Sequence, residues 1–316
     1  MVYISSFSFE DCERLLCKYD LGRLINFDAK TKSFDSGVHV FRTTKGKYVL
    51  KIFEKSNLKD IKYQNALMDF HSSFGVLVPK NIFNKDENEL TFFDGKYILI
   101  QGFVRGVEGG HLSYNLVREL ARNFGVMHKV VGGFSYQGKS KLDSSSYGCR
   151  VLPRGMANVY AEGYQKIFLE EFKRIPKSKL RKGHIHGDIS NVNFLVSEGE
   201  LKAIIDWEDT HFGILVYDIA IFMAQNFIRS DFIFRKKFGI FLREYIKFNA
   251  LNESEKKALY YLIKYRLVGF FCWYASRIND RDVDKKEFSK GVDRSIKRMK
   301  TFDKISLEEF LKFFKK

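Results

Sequence analysis

Apolar residues recur at two spacings along this chain, and the dominant spacing changes near residue 103. Before that point Phe9, Cys12, Leu15 and Leu16 stand at helical intervals within Phe7–Tyr19. Glu10 and Asp11 lie at the end where a helix dipole favours acids. Val38–Thr43 and Lys47–Phe53 are β-prone runs about Lys45-Gly46, and Leu90–Phe93 and Lys96–Gln101 are two more about Asp94-Gly95; both read as hairpins. Between the pairs, Ile61, Ala66, Leu67, Phe70 and Phe74 predict a helix that Gly75 ends. Beyond residue 103 helices dominate: Leu116–Val131, Ala157–Arg174 and several segments after Asp218. One strand pair interrupts them, Asn193–Val196 and Leu201–Ile205, turned at Glu198-Gly199. The pattern predicts an α+β, bilobal chain. A small strand-rich lobe over 1–102 and a larger helical lobe over 103–316 are joined by a connector near Gln101–Val104, with a ligand expected in the cleft between them.

Composition changes this picture little. The 316 residues suffice for one large or two ordinary domains, and the hydrophobic share of 45% is ordinary for a globular protein. No apolar run approaches the roughly 20 residues that span a bilayer, and the first residues lack a basic-then-apolar leader. The cytoplasm is therefore the expected location, with no membrane partner. Cys12, Cys17, Cys149 and Cys272 form neither a disulfide framework nor a metal pair, and His184 with His186 lacks the later ligands that zinc spacing requires.

The net charge of +16 is spread over scattered lysines rather than blocks, in a chain rich in Phe, Lys, Asn and Ile with only three prolines. That reads as compositional bias with a field that favours anionic small ligands, not as a nucleic-acid surface.

The chemistry concentrates in His184–Ala220. His186, Asp188 and Asn193 follow an H-x-D-x-x-x-x-N spacing, then comes the short hairpin, then Asp206 after the apolar run Ala203-Ile204-Ile205. A phosphoryl-transfer site needs that set: one carboxylate, Asp188, to meet an acceptor hydroxyl, and an amide and a second carboxylate, Asn193 and Asp206, to hold Mg²⁺ against nucleotide phosphates. His186 and Asp218 fit supporting positions, one through a hydrogen bond in the loop and the other bracing it from a helix start. Trp207-Glu208 stands where a protein kinase would have Phe-Gly, which points to a small-molecule acceptor.

Other candidates are single residues with ordinary alternatives. Lys51, in the apolar strand Tyr48–Phe53, could hold phosphates or face solvent. Gly37 could open a phosphate-covering turn or serve a plain one, and His128 reads as a packed residue. Asp60 and Asp69 are the acids near the helix that should pair with Lys51, and neither is assigned.

The segments HGDISNVNF, IIDWED and YDIA resemble the aminoglycoside phosphotransferase and choline kinase superfamily, which has a protein-kinase-like fold. Its homoserine kinase branch is similar further: FEDCERLLCKYDLGRLINFDA, YVLKIFE, DIKYQNALMDFHSSFGVLVPKNI, LIQGFVRG, VRELARNFGVMH and YRLVGFFCWYASRI follow it in order. The resemblance implies ATP and Mg²⁺, a catalytic Asp188, metal on Asn193 and Asp206, and Gln101, Phe103 and Val104 facing adenine. Trp207-Glu208-Asp209 departs from the branch. Homoserine carries a carboxylate and an ammonium, so its pocket needs a guanidinium and an acid. Arg277, Arg266, Glu208 and Asp209 are available, and Arg277 matches an arginine of the branch. An aminoglycoside or choline acceptor would instead call for an acidic or aromatic cage. A pseudokinase that binds nucleotide without transfer, and a nucleic-acid binder motivated by charge alone, complete the rival readings.

Overall fold

Both expected hairpins of the first hundred residues form; the second turns at Asp94-Gly95 as expected, whereas the first turns one residue earlier than expected, at Thr44-Lys45, with Gly46 already paired to Thr43 in the returning strand. The computed structural model describes residues 7–31, 36–54, 56–109, 112–136, 163, 166, 170, 173–278 and 284–315. Strands β1 (Leu24–Thr31), β2 (Ser36–Thr43), β3 (Gly46–Phe53), β4 (Asn81–Ile82), β5 (Leu90–Phe93) and β6 (Lys96–Gly102) make one antiparallel sheet ordered β1-β2-β3-β6-β4, with β5 also on β6. The β5–β6 turn puts Asp94 at φ 46° and Gly95 at φ 78°, the left-handed pair that suits right-twisted strands. Helix α1 (Phe9–Leu16) is fixed by a reciprocal cap, Asp11 N–H to Ser8 Oγ at 3.1 Å and Ser8 N–H to Asp11 Oδ2 at 2.9 Å. It buries Cys12, Leu15 and Leu16 in one cluster with Leu50, Ile52, Ile98 and Ile100. Strand β1 has no sequence signal because bulges near Leu24 and after Asp28 break its period of two.

Helix α2 (Leu58–Ser73) starts before its apolar periodicity, where Asn57 Oδ1 accepts the Asp60 N–H at 2.9 Å, and Gly75 at φ 81° follows its end. The chain divides into two compact units, Met1–Lys62 with Val78–Arg105, and Tyr63–Leu77 with Gly106–Lys316, so the division falls within α2.

The second unit holds α3 (Tyr114–Val130), α4 (Val216–Phe227), α5 (Arg235–Phe248), α6 (Glu253–Arg277), α7 (Lys285–Phe302) and α8 (Leu307–Lys312). It also holds β7 (Val107–Glu108), β8 (Lys182–Ile185), β9 (Phe194–Ser197), β10 (Glu200–Ile204) and β11 (His211–Ile214), paired as β10-β9-β7 and β11-β8. Helix α4 is mostly apolar around its circumference and almost wholly buried, the pattern of a central helix. Phe222 meets Phe124, Phe227 and Phe241 at 5.2, 5.3 and 4.8 Å between ring centres, and each such burial stabilises by roughly 1.5–3 kcal/mol. The helix expected over Ala157–Arg174 lies largely outside the described residues. No described helix is long and apolar enough to cross a membrane.

Candidate active site

Strand β8 delivers the chain into a loop whose first two peptides are held by one carboxylate. Asp218, at the start of α4, is fully buried and accepts the His186 and Gly187 N–H groups at 2.9 and 2.8 Å. Burial pushes its carboxyl up, but His128, whose Nε2 lies 3.3 Å away, and His186 outweigh that and leave it below the ordinary range. His128 is fixed in turn by the Tyr245 hydroxyl at 2.9 Å, which receives the Asn249 amide at 2.6 Å.

Gly187 sits at φ 85°, and a Cβ there would fall 2.3 Å from the Asp209 carbonyl oxygen, so no other residue fits. The His186 ring donates from Nε2 to the Ile205 carbonyl at 3.0 Å and receives the Asp188 N–H on Nδ1 at 3.3 Å. These partners orient the ring and tie the loop to the segment that leads from β10 into Asp206. Trp207 packs on His186 at 4.7 Å and on His71 at 5.5 Å, and donates to the Ile204 carbonyl. The residue that replaces the expected phenylalanine is thus a buried wedge beneath the loop.

Asp188, half-buried, is gripped on both oxygens. Asn193 Nδ2 donates to its carbonyl at 2.6 Å and to Oδ2 at 3.2 Å. Oδ1 receives Gln225 Nε2 at 3.3 Å and Arg266 Nη2 at 2.6 Å. Burial works against the Arg266 charge, and Asp188 beside it reverses the balance and raises its pKa. Asn193 is buried, and its NH₂ is spent on Asp188, so the amide oxygen is the end left to face a cation.

The β9–β10 hairpin then sets Asp206 beside Asn193. Phe194 pairs with Ile204, and Ile205 N–H donates to the Asn193 carbonyl at 2.9 Å. Asp206 follows at once, exposed and at φ 61°, a left-handed conformation that costs a non-glycine residue roughly 1–2 kcal/mol. Two hard oxygen donors in neighbouring positions, one neutral and one anionic, suit Mg²⁺, which keeps water and phosphate oxygens as its other ligands.

The remaining candidates are more dispersed. Lys51 lies on β3 opposite Val38 and Leu99, half-buried, with Nζ 5.7 Å from the Phe53 ring centre. Gly37 belongs to β2 itself, opposite Ile52, so the turn expected of it would have to precede it, in residues 32–35 outside the described set. Gln101, one residue before the end of β6, has Nε2 on Asn81 Oδ1 at 2.8 Å. Phe103 and Val104 continue from it in irregular backbone, with Lys47 Nζ 4.0 Å from the Phe103 ring centre. Glu208 is half-buried and Asp209 exposed, in the turn after Asp206.

Arg277 stacks on Trp273 at 4.9 Å. It stands three helical turns beyond Arg266, about 16 Å along α6, so Arg266 is the guanidinium at Asp188. Sequence reasoning missed Gln225 and did not choose Arg266. Both lie in largely apolar helical stretches beside other polar residues, Asn226 and Lys264, 37 and 78 residues from Asp188, so no local signal marks them.

A profile of the phosphotransferase enzyme family matches residues 31–252. The chain belongs to that family. A homoserine kinase of Granulibacter bethesdensis is 25% identical over 270 residues, covering 82% of this chain and 84% of the relative. The solved microcompartment-associated aminopropanol kinase superposes with a TM-score of 0.74 at 13% identity, covering 97% of this phosphotransferase and 100% of the other chain. Amicoumacin kinase in complex with AMP-PNP, Ca²⁺ and Ami gives 0.69 at 15% identity, covering 93% and 96%. These likenesses show the fold of the phosphotransferase to be the protein-kinase-like α+β one.

Proposed function

We propose that this phosphotransferase is an ATP- and Mg²⁺-dependent kinase acting on the hydroxyl of a small molecule, with homoserine as the acceptor. The observation that carries the reading is the gathering of Asp188, Asn193 and Asp206 by one loop and one hairpin. Asn193 Oδ1 and the Asp206 carboxylate would hold the metal, and Lys51 the α- and β-phosphates, with Gln101, Phe103 and Val104 toward adenine. When bound, the magnesium nucleotide supplies the phosphoryl group and neutralises its charge.

The chain's own work is positional, because the transition state is loose and demands alignment more than base strength. Asp188 accepts the hydrogen bond, and finally the proton, of the acceptor hydroxyl. Asn193, Gln225 and Arg266 hold its carboxylate in one rotamer, and Asp218 and His186 fix the loop backbone beneath it. Glu208 and Asp209 are the acids nearby in sequence for a substrate ammonium. The homoserine kinase relative, similar over most of both chains, supports homoserine as acceptor.

Coupled ADP-release assays over homoserine, choline, aminoglycosides and sugars test this. Turnover with another acceptor and silence with homoserine removes the acceptor half. Asp188→Asn should lower kcat by about a thousandfold while nucleotide binding persists; unchanged turnover would overturn the catalytic assignment.

A further inference from the structure

The surroundings of Asp188 carry more positive charge than that one carboxylate balances. Arg266 spends Nη2 on Asp188, and its Nε is buried with no hydrogen-bond partner. Phe270, one turn along α6, has the Arg266 and Arg298 guanidiniums 4.9 and 4.8 Å from its ring centre. Arg298 donates to the Ala224 and Ile228 carbonyls, and Arg229 to the Gln225 carbonyl at 2.9 Å, where α4 ends. Capping the negative end of a helix accounts for their positions. It leaves their net charge standing. Among the described residues, neither Arg229 nor Arg298 has an acid within ion-pair distance, and Arg266 pairs with Asp188, with a weaker attraction from Asp209 and a hydrogen bond with Tyr217. Burial and the neighbouring arginines, Arg229 first, push the Arg298 guanidinium down to about 10, a sign of crowded like charge.

Half-buried cations whose hydrogen bonds go mainly to neutral carbonyls lose hydration without having their charge balanced. Such a cluster beside a reacting carboxylate is suited to an anion that arrives with the substrate. We propose that the acceptor of this phosphotransferase carries a carboxylate, received by Arg266 with Arg298 reinforcing the field, and that this pair makes the site select hydroxy acids over their decarboxylated counterparts. The planar Arg266 fork holds Asp188 through Nη2, and the guanidinium charge left over after that pairing is what the incoming carboxylate would meet. The same charge disfavours polycationic acceptors. This inference rests on the reading of Asp188 as catalytic; it names the substrate class and does not require that the acceptor be homoserine.

The test uses pairs that differ by the carboxylate alone: L-homoserine and 3-amino-1-propanol, L-serine and ethanolamine, D-glycerate and ethylene glycol. In the wild type the acid of whichever pair is turned over should have the higher kcat/KM. Arg266→Gln lowers both members through Asp188, but the preference for the acid should shrink by about a hundredfold. Arg266→Lys, which keeps the charge and loses the fork, should lose part of the preference, and Arg298→Gln a smaller part.

If Arg266→Gln fails to fold, direct calorimetric binding of each pair to the wild type and to Arg266→Lys gives the same comparison. A preference unchanged by substitution at Arg266 overturns the inference and leaves the homoserine reading intact. Turnover of glycerate or serine with silence toward homoserine removes homoserine and supports the inference. Wild-type preference for the decarboxylated members sinks both.

Discussion

Gly187 and Asp206 are the two residues of the site whose backbone conformation is unusual, and they stand on either side of the same machinery. Gly187, at φ 85°, lets two successive N–H groups turn onto Asp218 while the Asp209 carbonyl closes over the missing side chain. Gly187→Ala should therefore cost at least about 2 kcal/mol, from the left-handed conformation and the contact together, and should lower kcat by misplacing Asp188. Thermal unfolding and steady-state kinetics on the same preparation check both effects. Asp206 carries no such steric demand; its strain is kept where an exposed carboxylate leaves a strand, beside an amide that has already turned its nitrogen away. The residue spacing brought Asp188, Asn193 and Asp206 to notice because all three lie within 19 positions, inside one loop and one hairpin. Gln225 and Arg266 reach the same carboxylate from helices far along the chain, and no local spacing announces them.

The elements that were legible are those with a strong local signal. The Asp94-Gly95 and Glu198-Gly199 turns take left-handed pairs, as two-residue hairpins require, and α3 shows its stripe of Leu116, Val117, Leu120, Phe124 and Met127. At Glu198, φ 56° is imposed on a residue with no preference for it, in a position exposed to solvent. Glu198→Asn should therefore raise stability by about 1 kcal/mol, seen as a higher midpoint in urea at unchanged slope.

Less legible were strands whose pairing is long-range or irregular. Strands β8 and β11 are four residues each and pair across 26 to 32 positions, with His184 and His211 among them. In the structure His184 Nδ1 takes the Tyr63 hydroxyl at 2.6 Å, from α2. Strand β7, two residues long, gains its place from β9 alone. The α6 helix is the opposite case. Its Asn252–Glu255 capping box is a strong start signal, and Glu255 is further fixed by Arg181 at 2.7 Å.

At the scale of the molecule, the pattern of a strand-rich beginning and a helical remainder was sufficient to reach the α+β, kinase-like fold that the solved relatives show. Stability should fall steeply in mild acid, and His71 is a principal cause. It is 1% exposed beside Trp207, and burial, with smaller effects of neighbouring histidines, pushes its ring down to about 3 from an ordinary 6.5. Above pH 6.5 the ring is neutral in both states and contributes no pH dependence. Below that, the unfolded chain takes up a proton that the folded one refuses until about pH 3, so stability falls with pH across this window. The slope from this residue should approach 1.4 kcal/mol per pH unit, roughly. Denaturation at a series of pH values, compared with His71→Gln, should show a flatter curve for the variant.

The double grip of Asp218 on the loop has a consequence for how this enzyme could diversify. Because the peptides at His186 and Gly187 are pinned to the first turn of a helix sunk in the core, the Asp188 carboxylate cannot be re-aimed by changing the loop alone. A graft of residues 186–193 into a foreign scaffold would arrive without its anchor and lie slack. New acceptors are therefore more accessible through exchanges on α6 and α7 about Phe270, which lie apart from that anchor.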